Sequence, residues 1–313
     1  MVPSTVGLAG TVLILALIVD RLIGDPHSAL HPVAMLGRFI GWWGRPALWP
    51  VWLHRAAGVF FWVATAFLFA LPFFLFGRFA PWLIYLAGAP FLLKCCFAWR
   101  SLDEHTRAVL AALQDGVEEG RKQVMLIVSR DAAWLNPDQI RSAAYESMTE
   151  NLTDSIISPL FYFSLFGLTG AAVFRAANTM DAMLGYLDER ANIGWFSARM
   201  DDILNYVPSR ITVLLLLIYF AVKGTFRQAW RVMRRDGRRR PGFNGGIVMA
   251  AMAGGCGVRF TKPGIYEIGN GERTLEEGGR DILRAVRAAT LAFALIAGGT
   301  LILLAWLTNS TCI

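Results

Sequence analysis

The feature that most restricts this chain is its supply of uninterrupted apolar stretches. A helix that crosses a hydrocarbon core of roughly 30 Å needs about 20 apolar residues. Four stretches meet that requirement: residues 6–23, 56–76, 79–97 and 285–307. Two more, 156–177 and 211–222, are ambiguous. The second has only twelve residues, and the first contains Gly167-Leu168-Thr169-Gly170, a break able to turn a re-entrant hairpin. The composition agrees, with 55% hydrophobic and 17% charged residues, too apolar for a soluble domain of ordinary make-up. The expected fold is an all-α integral membrane protein. It is read as a single membrane-embedded domain over 1–313, a polytopic helical bundle of about 4–6 membrane segments with cytoplasmic helical and glycine-rich loops. No basic segment precedes the first apolar run and no A-x-A site follows it, so that run reads as a retained helix rather than a signal peptide.

Between these stretches lie polar segments with distinct characters. Trp42, Trp43, Trp49 and Trp52 suit a membrane–water interface. Leu135-Asn136-Pro137-Asp138 reads as a helix start. The net charge of +7 is concentrated in Lys223, Arg227, Arg231, Arg234, Arg235, Arg238, Arg239 and Arg240, opposed only by Asp236. A basic run directly after an apolar helix marks the cytoplasmic face of an inner membrane and contacts anionic lipid, so this reading is preferred to nucleic-acid binding. It places 223–284 in the cytoplasm and 98–150 with it, whereas the side of 178–209 stays open. The four cysteines contain no C-x-x-C pair, so neither a structural zinc site nor a disulfide framework is indicated.

The chemistry-bearing residues border the apolar stretches. Glu146, Glu150 and Asp154 are spaced i, i+4, i+8 and share one face of a helix. Asn151 precedes Asp154 by three, the same N-x-x-D spacing recurs at Asn178 and Asp181, and its reverse joins Asp202 to Asn205, with Asp201 adjacent. Arg175, Arg190, Arg199 and Arg210 are interleaved. Ionisable groups at a membrane boundary are costly unless they pair or do work. Helix-bracing ion pairs are the bland explanation; three amide–carboxylate pairs in some sixty residues favour oxygen ligation of magnesium on a phosphorylated substrate, with arginines on the phosphates. A second cluster runs from Asp20-Arg21 through Gly24-Asp25-Pro26-His27 to His31-Pro32. Its prolines oppose a helical zinc pair, and a substrate-facing loop is the better reading. A third, Pro241-Gly242-Phe243-Asn244-Gly245-Gly246 with Lys262 and Tyr266 downstream, could expose backbone N–H groups to an anion. No P-loop, G-x-S-x-G or H-E-x-x-H pattern occurs.

Together these segments resemble the adenosylcobinamide-phosphate synthase family of cobalamin biosynthesis. The resemblance covers most of the chain in order. It runs from Asp20-Arg21 and His31-Pro32 through Ser129-Arg130-Asp131, Glu146-Ser147 and Glu150-Asn151 with Asp154, to Ser158-Pro159-Leu160-Phe161-Tyr162. It continues with Asn178-Thr179-Met180-Asp181, Glu189-Arg190, Ser197 to Asp202, Asn205 to Arg210, and Asn244-Gly245 through Tyr266. Ser209 replaces the family's usual alanine, and Phe243 its more frequent proline.

The resemblance implies a ligase that forms a C–N amide bond. It joins the free carboxylate of adenosylcobyric acid to (R)-1-aminopropan-2-yl phosphate or a related amino alcohol, with ATP as energy source and Mg²⁺ as its partner. No bound prosthetic group is expected; the corrinoid is substrate. On the residues alone, Glu146, Glu150, Asp154, Asp181, Asp201 and Asp202 are the candidate catalytic acids, and Asp154, Asp181 and Asp202 the candidate metal ligands. Asp25, His31, Arg130, Asn151, Asn178, Arg190, Arg199, Asn205, Arg210, Asn244, Lys262 and Tyr266 are candidates for substrate binding. Expected partners are the corrinoid, the amino-alcohol phosphate, membrane lipid and other enzymes of the pathway, but no nucleic acid. Alternatives are a magnesium-dependent membrane prenyltransferase, whose aspartate-rich signature is incomplete here, and a transporter or scaffold, which would predict polar residues in mid-span and internal symmetry.

Overall fold

The computed structural model describes residues 5–24, 31–128 and 131–310. It is 78% helical and bears out an all-α polytopic membrane protein. Four helical stretches are long and apolar enough to cross a membrane: Val51–Phe79, Trp82–Asp115, Pro137–Leu184 and Leu275–Leu307, with a fifth if Trp195–Leu204 and Tyr206–Val222 serve as one crossing. The apolar run 6–23 is helical as expected, within α1 (Thr5–Ile23).

Contacts divide the chain into two compact units, each assembled from separate stretches: residues 1–98, 158–205 and 294–313 in unit 1, and 99–157 and 206–293 in unit 2. Unit 1 is the more apolar. It contains α1, α2 (Pro32–Trp43), α3 (His54–Phe79), α4 (Trp82–Lys94), α8 (Ser158–Leu184) and α9 (Trp195–Leu204). Its core gathers Ile40, Trp43, Trp62, Ala177, Met180 and Ile193. The outer faces of α3 and α4 expose Phe60, Phe67, Phe79, Leu83 and Phe91, side chains that water would penalise and lipid would not. Asp20 is fully buried and pairs with Lys94 at 3.2 Å, the pairing an apolar surround demands of a charge.

Element α8 is a folded-back hairpin, not a rod. Gly167 has φ 63° and ψ −155°, a conformation reserved for glycine. A Cβ added at Gly170 would collide with the carbonyl oxygen of Tyr162, and the Tyr162 and Phe174 rings stack at 5.3 Å. Twelve residues of straight helix would separate the latter by about 18 Å. The break at 167–170 therefore turns the chain, and Pro137–Leu184 cannot be one straight crossing.

Unit 2 packs α5 (Trp99–Asp115), α6 (Val117–Val124) and α7 (Pro137–Leu152) around Val109, Val124, Ile140 and Ala144. Helix α7 opens as predicted: the Asn136 side chain accepts from Gln139 N, and the Gln139 side chain accepts from Asn136 N. A π-helical turn, Thr153–Ile157, follows α7. The unit also contains α10 (Tyr206–Val222), α11 (Phe226–Asp236), α12 (Gly245–Cys256), an antiparallel hairpin of β1 (Arg259–Lys262) and β2 (Tyr266–Gly269), and the first half of α13 (Leu275–Ser310).

Candidate active site

Unit 2 holds a polar cavity of about 150 Å³ lined by Glu146, Ser147, Glu150, Asn151, Arg240, Lys262 and Tyr266. Helix α7 supplies Glu146, Ser147, Glu150 and Asn151 because three- and four-residue steps return to one face. The hairpin supplies Lys262 and Tyr266, which are paired across the two strands. Arg240 comes from the segment after α11.

Glu146 is buried, and both of its oxygens are engaged. Ser142 Oγ donates to Oε1 at 2.5 Å and Tyr266 Oη donates to Oε2 at 2.7 Å. Ser142 Oγ in turn accepts from Thr261 N at 2.7 Å. Glu146 thus clamps the β-hairpin to α7. Burial raises the Tyr266 phenol above its ordinary range, and the adjacent Glu146 charge raises it further, so the phenol stays protonated and keeps donating.

Glu150 pairs with Arg240. Burial works against the Arg240 charge, but Glu150, Tyr266 and Asp154 outweigh it and the guanidinium is held more firmly protonated than usual. Arg240 lies over the start of α12, where a Cβ at Gly245 would collide with its guanidinium. Gly245 therefore makes room for the arginine, and Gly246 for the close approach of the Gly237 carbonyl. The Lys262 ammonium, by contrast, makes no ion pair or side-chain hydrogen bond among the described residues.

Arg210 and Asn244 also meet in unit 2. Arg210 Nη1 donates to Asn244 Oδ1 at 2.5 Å and Nη2 to the Phe243 carbonyl at 3.2 Å, while the guanidinium lies 3.7 Å from the Tyr206 ring centroid. This arginine anchors the 243–244 loop to α10. Asp154 sits in the π-turn, half-buried, where the wider turn shifts it from the strict i, i+8 register with Glu146.

The remaining expected residues belong to unit 1. Asp201 accepts from Asn205 Nδ2 at 2.9 Å and from Asn178 Nδ2 at 3.4 Å, and Asn205 Oδ1 accepts from Ser158 Oγ at 2.6 Å. These amide–carboxylate pairs brace α8 against α9. Asp181 is half-buried on α8 and Asp202 on α9; Arg199 is exposed on α9. Arg190 is bound bidentately to Asp188, whose carboxyl these hydrogen bonds hold down at about 2. Arg190 also donates to the Met183 carbonyl and lies over the Tyr186 ring. The His31 side chain accepts from Val33 N and caps α2, a structural use that the following proline favours. Asp25 and Arg130 lie outside the described residues.

Among the described residues no three His, Cys, Asp or Glu side chains converge to hold a metal ion, so Asp154, Asp181 and Asp202 form no ready-made cage. A magnesium ion carried by phosphates needs only one or two carboxylates, and Asp154, one turn beyond Glu150 in unit 2, fits that need. Arg240 and Ser142 were not singled out from the sequence. Arg240 was hidden in a basic run and Ser142 among small helix residues; only the Pro-Gly and Asn-Gly-Gly neighbours of Arg240 hinted at a special position.

The CobD/Cbib protein family model matches residues 13–295. A probable cobalamin biosynthesis protein CobD from Methanothermobacter thermautotrophicus is 40% identical over 299 residues, covering 94% of this chain and 98% of that protein. Its counterpart from Pyrococcus abyssi is 42% identical, covering 90% and 91%. The cobalamin biosynthesis protein CobD of Pelobacter propionicus is 36% identical, covering 94% and 96%. No solved structure matches the chain. Agreement at this level over nearly the full length of both partners leaves one assignment: the chain belongs to the CobD/Cbib family of cobalamin biosynthesis proteins.

Proposed function

We propose that this chain catalyses the ATP-dependent ligation of adenosylcobyric acid with (R)-1-aminopropan-2-yl phosphate or a related amino-alcohol phosphate, at the cytoplasmic side of the inner membrane. The supporting observation is the unit 2 cavity. It carries charges of both signs, an uncommitted ammonium at Lys262 and the Glu150–Arg240 pair, in a volume of about 150 Å³. A small zwitterion with a phosphate at one end and an ammonium at the other is complementary to that lining, whereas a corrinoid far exceeds it.

In the reaction, a corrinoid carboxylate oxygen attacks the γ-phosphorus of ATP, giving an acyl phosphate and ADP. The amine loses a proton and attacks the acyl carbon, and inorganic phosphate leaves as the amide forms. Lys262 holds the phosphate of the amino alcohol. Glu150 faces its ammonium and takes the proton. Glu146, with both oxygens engaged, positions Tyr266 and the hairpin. Magnesium arriving with the nucleotide would supply charge neutralisation on the phosphates, held by Asp154.

The test is purified, detergent-solubilised full chain incubated with adenosylcobyric acid, aminopropanol phosphate, ATP and Mg²⁺, with the corrinoid followed by mass spectrometry. Wild type should yield the amide mass, with Lys262→Met reduced at least tenfold at limiting amino-alcohol phosphate. Absence of product from folded protein with every amino-alcohol phosphate tried would overturn the ligase reading.

A further inference from the structure

The seven arginines of the basic run read from the sequence separate into two groups that do different things. Arg235, Arg239 and Arg240 are taken up internally: the first two pair with the buried Asp236 and the third with Glu150. Arg227, Arg231, Arg234 and Arg238 are exposed, and among the described residues none makes an ion pair or hydrogen bond. On α11 the buried residues are Ala229, Val232 and Asp236. At 100° per residue, Arg227, Arg231 and Arg234 point to the opposite side. Between the two faces lie Phe226 and Trp230, stacked at 6.2 Å and both about two-fifths exposed.

The neighbouring helix shows what this face meets. α10 exposes Leu214, Ile218 and Val222, a stripe at four-residue spacing whose last member is 83% exposed. Such a stripe suits lipid. Only Lys223, Gly224 and Thr225 separate it from α11, and the turn is tight: Gly224 has φ 77° and Thr225 N donates to the Phe220 carbonyl at 2.8 Å. A lipid-facing helix therefore runs directly into a short amphipathic one with an aromatic ridge and an unneutralised arginine face. That combination is the signature of a helix lying in the headgroup layer.

We infer that α11 is a binding surface for anionic phospholipid headgroups of the membrane the protein spans, with Arg227, Arg231 and Arg234 on the phosphates and Phe226 and Trp230 at the acyl boundary. This holds independently of the ligase reading, because the arginines concerned lie outside the charged cavity.

The experiment is native mass spectrometry of the full chain released from detergent and titrated with phosphatidylglycerol or phosphatidylcholine. Wild type should bind phosphatidylglycerol at least tenfold more tightly. Each arginine near an anionic surface changes affinity by about fivefold, so the Arg227→Gln/Arg231→Gln/Arg234→Gln variant should lose most of that preference, and added salt should weaken the wild-type preference. The corresponding triple lysine variant keeps the charge and should keep the preference. A glutamine triple at Arg100, Arg107 and Arg284, whose charges are already paired with acids, should retain it too. Equal affinity of wild type for the two lipids, or an unchanged preference in the α11 glutamine variant, would overturn the inference.

Discussion

The clamp at Glu146 lends itself to a quantitative prediction. Tyr266→Phe deletes one hydroxyl and leaves ring volume unchanged, so its cost is that of the 2.7 Å bond to a buried carboxylate oxygen. Hydrogen bonds to charged groups contribute about 1.5–3 kcal/mol. Ser142→Ala removes two bonds, the 2.5 Å donation to Glu146 and the 2.7 Å acceptance from Thr261 N, and should cost about 2–4 kcal/mol. The Tyr266 loss, and the Glu146 half of the Ser142 loss, act through one carboxylate. In an E146A background, Y266F should therefore cost less than about 0.5 kcal/mol, a coupling of at least about 1 kcal/mol. Unfolding by SDS in mixed micelles reads these differences directly. A parallel activity assay separates positioning from base catalysis: E146Q should raise KM for the amino-alcohol phosphate more than it lowers kcat, and should leave the pH profile of kcat intact. Equal costs of Y266F in the two backgrounds would refute the clamp, and loss of one limb of the pH profile would return Glu146 to the role of base.

Three further outcomes follow from the geometry. Gly245→Ala places a methyl against the Arg240 guanidinium, so ligase activity should fall at least tenfold with little loss of secondary structure by circular dichroism. Gly167→Ala has open space for its methyl but forces alanine into a positive-φ conformation; it should cost about 1–3 kcal/mol in the micelle titration. Asp236→Asn should destabilise, because the buried carboxylate holds Arg235, Arg239 and the Gly269 N–H at 3.0 Å. Although burial opposes its charge, the Arg235 and Gly269 hydrogen bonds prevail and hold the Asp236 carboxyl below its ordinary value. Its contribution is thus present above the unfolded value near 3.9 and lost as pH falls through the depressed folded value. The gap between wild type and Asp236→Asn should be constant from about pH 5 to pH 8 and narrow only below about pH 4.

What could be read from the sequence is what local chemistry decides. Apolar runs declared the membrane helices because no other structure satisfies twenty consecutive backbones in hydrocarbon. Asn136 with Pro137 and Asp138 announced the start of α7, and the Gly167-Leu168-Thr169-Gly170 break offered a turn, which Gly167 makes with a positive φ that few residues can take. Roles that depend on a distant partner were hidden. Arg240 and Glu150 are 90 residues apart, and beyond the glycine-rich segment that follows it little distinguishes Arg240 from Arg238 until the fold brings one to a carboxylate and leaves the other exposed. The amide–carboxylate spacings were visible, but spacing does not say what an oxygen accepts from. Asp201 turned out to receive its own neighbours' amides.

That last distinction orders the candidate residues by the capacity they have left. A group can bind a ligand only with donors or acceptors the protein has not already used. Glu146 accepts from Ser142 and Tyr266, Asp201 accepts on both oxygens, and Arg210 and Arg190 donate to carbonyls, amides or a neighbouring acid. All are polar, and most lie in segments that resemble the family pattern, yet they serve to hold helices, a loop and a hairpin in place. Lys262 has its three ammonium donors available, and Glu150 keeps an oxygen beyond the one that meets Arg240. Both side chains line the same cavity. A substrate that brings both a phosphate and an ammonium could use both ends of it at once, and neither inorganic phosphate nor an uncharged amino alcohol could do the same.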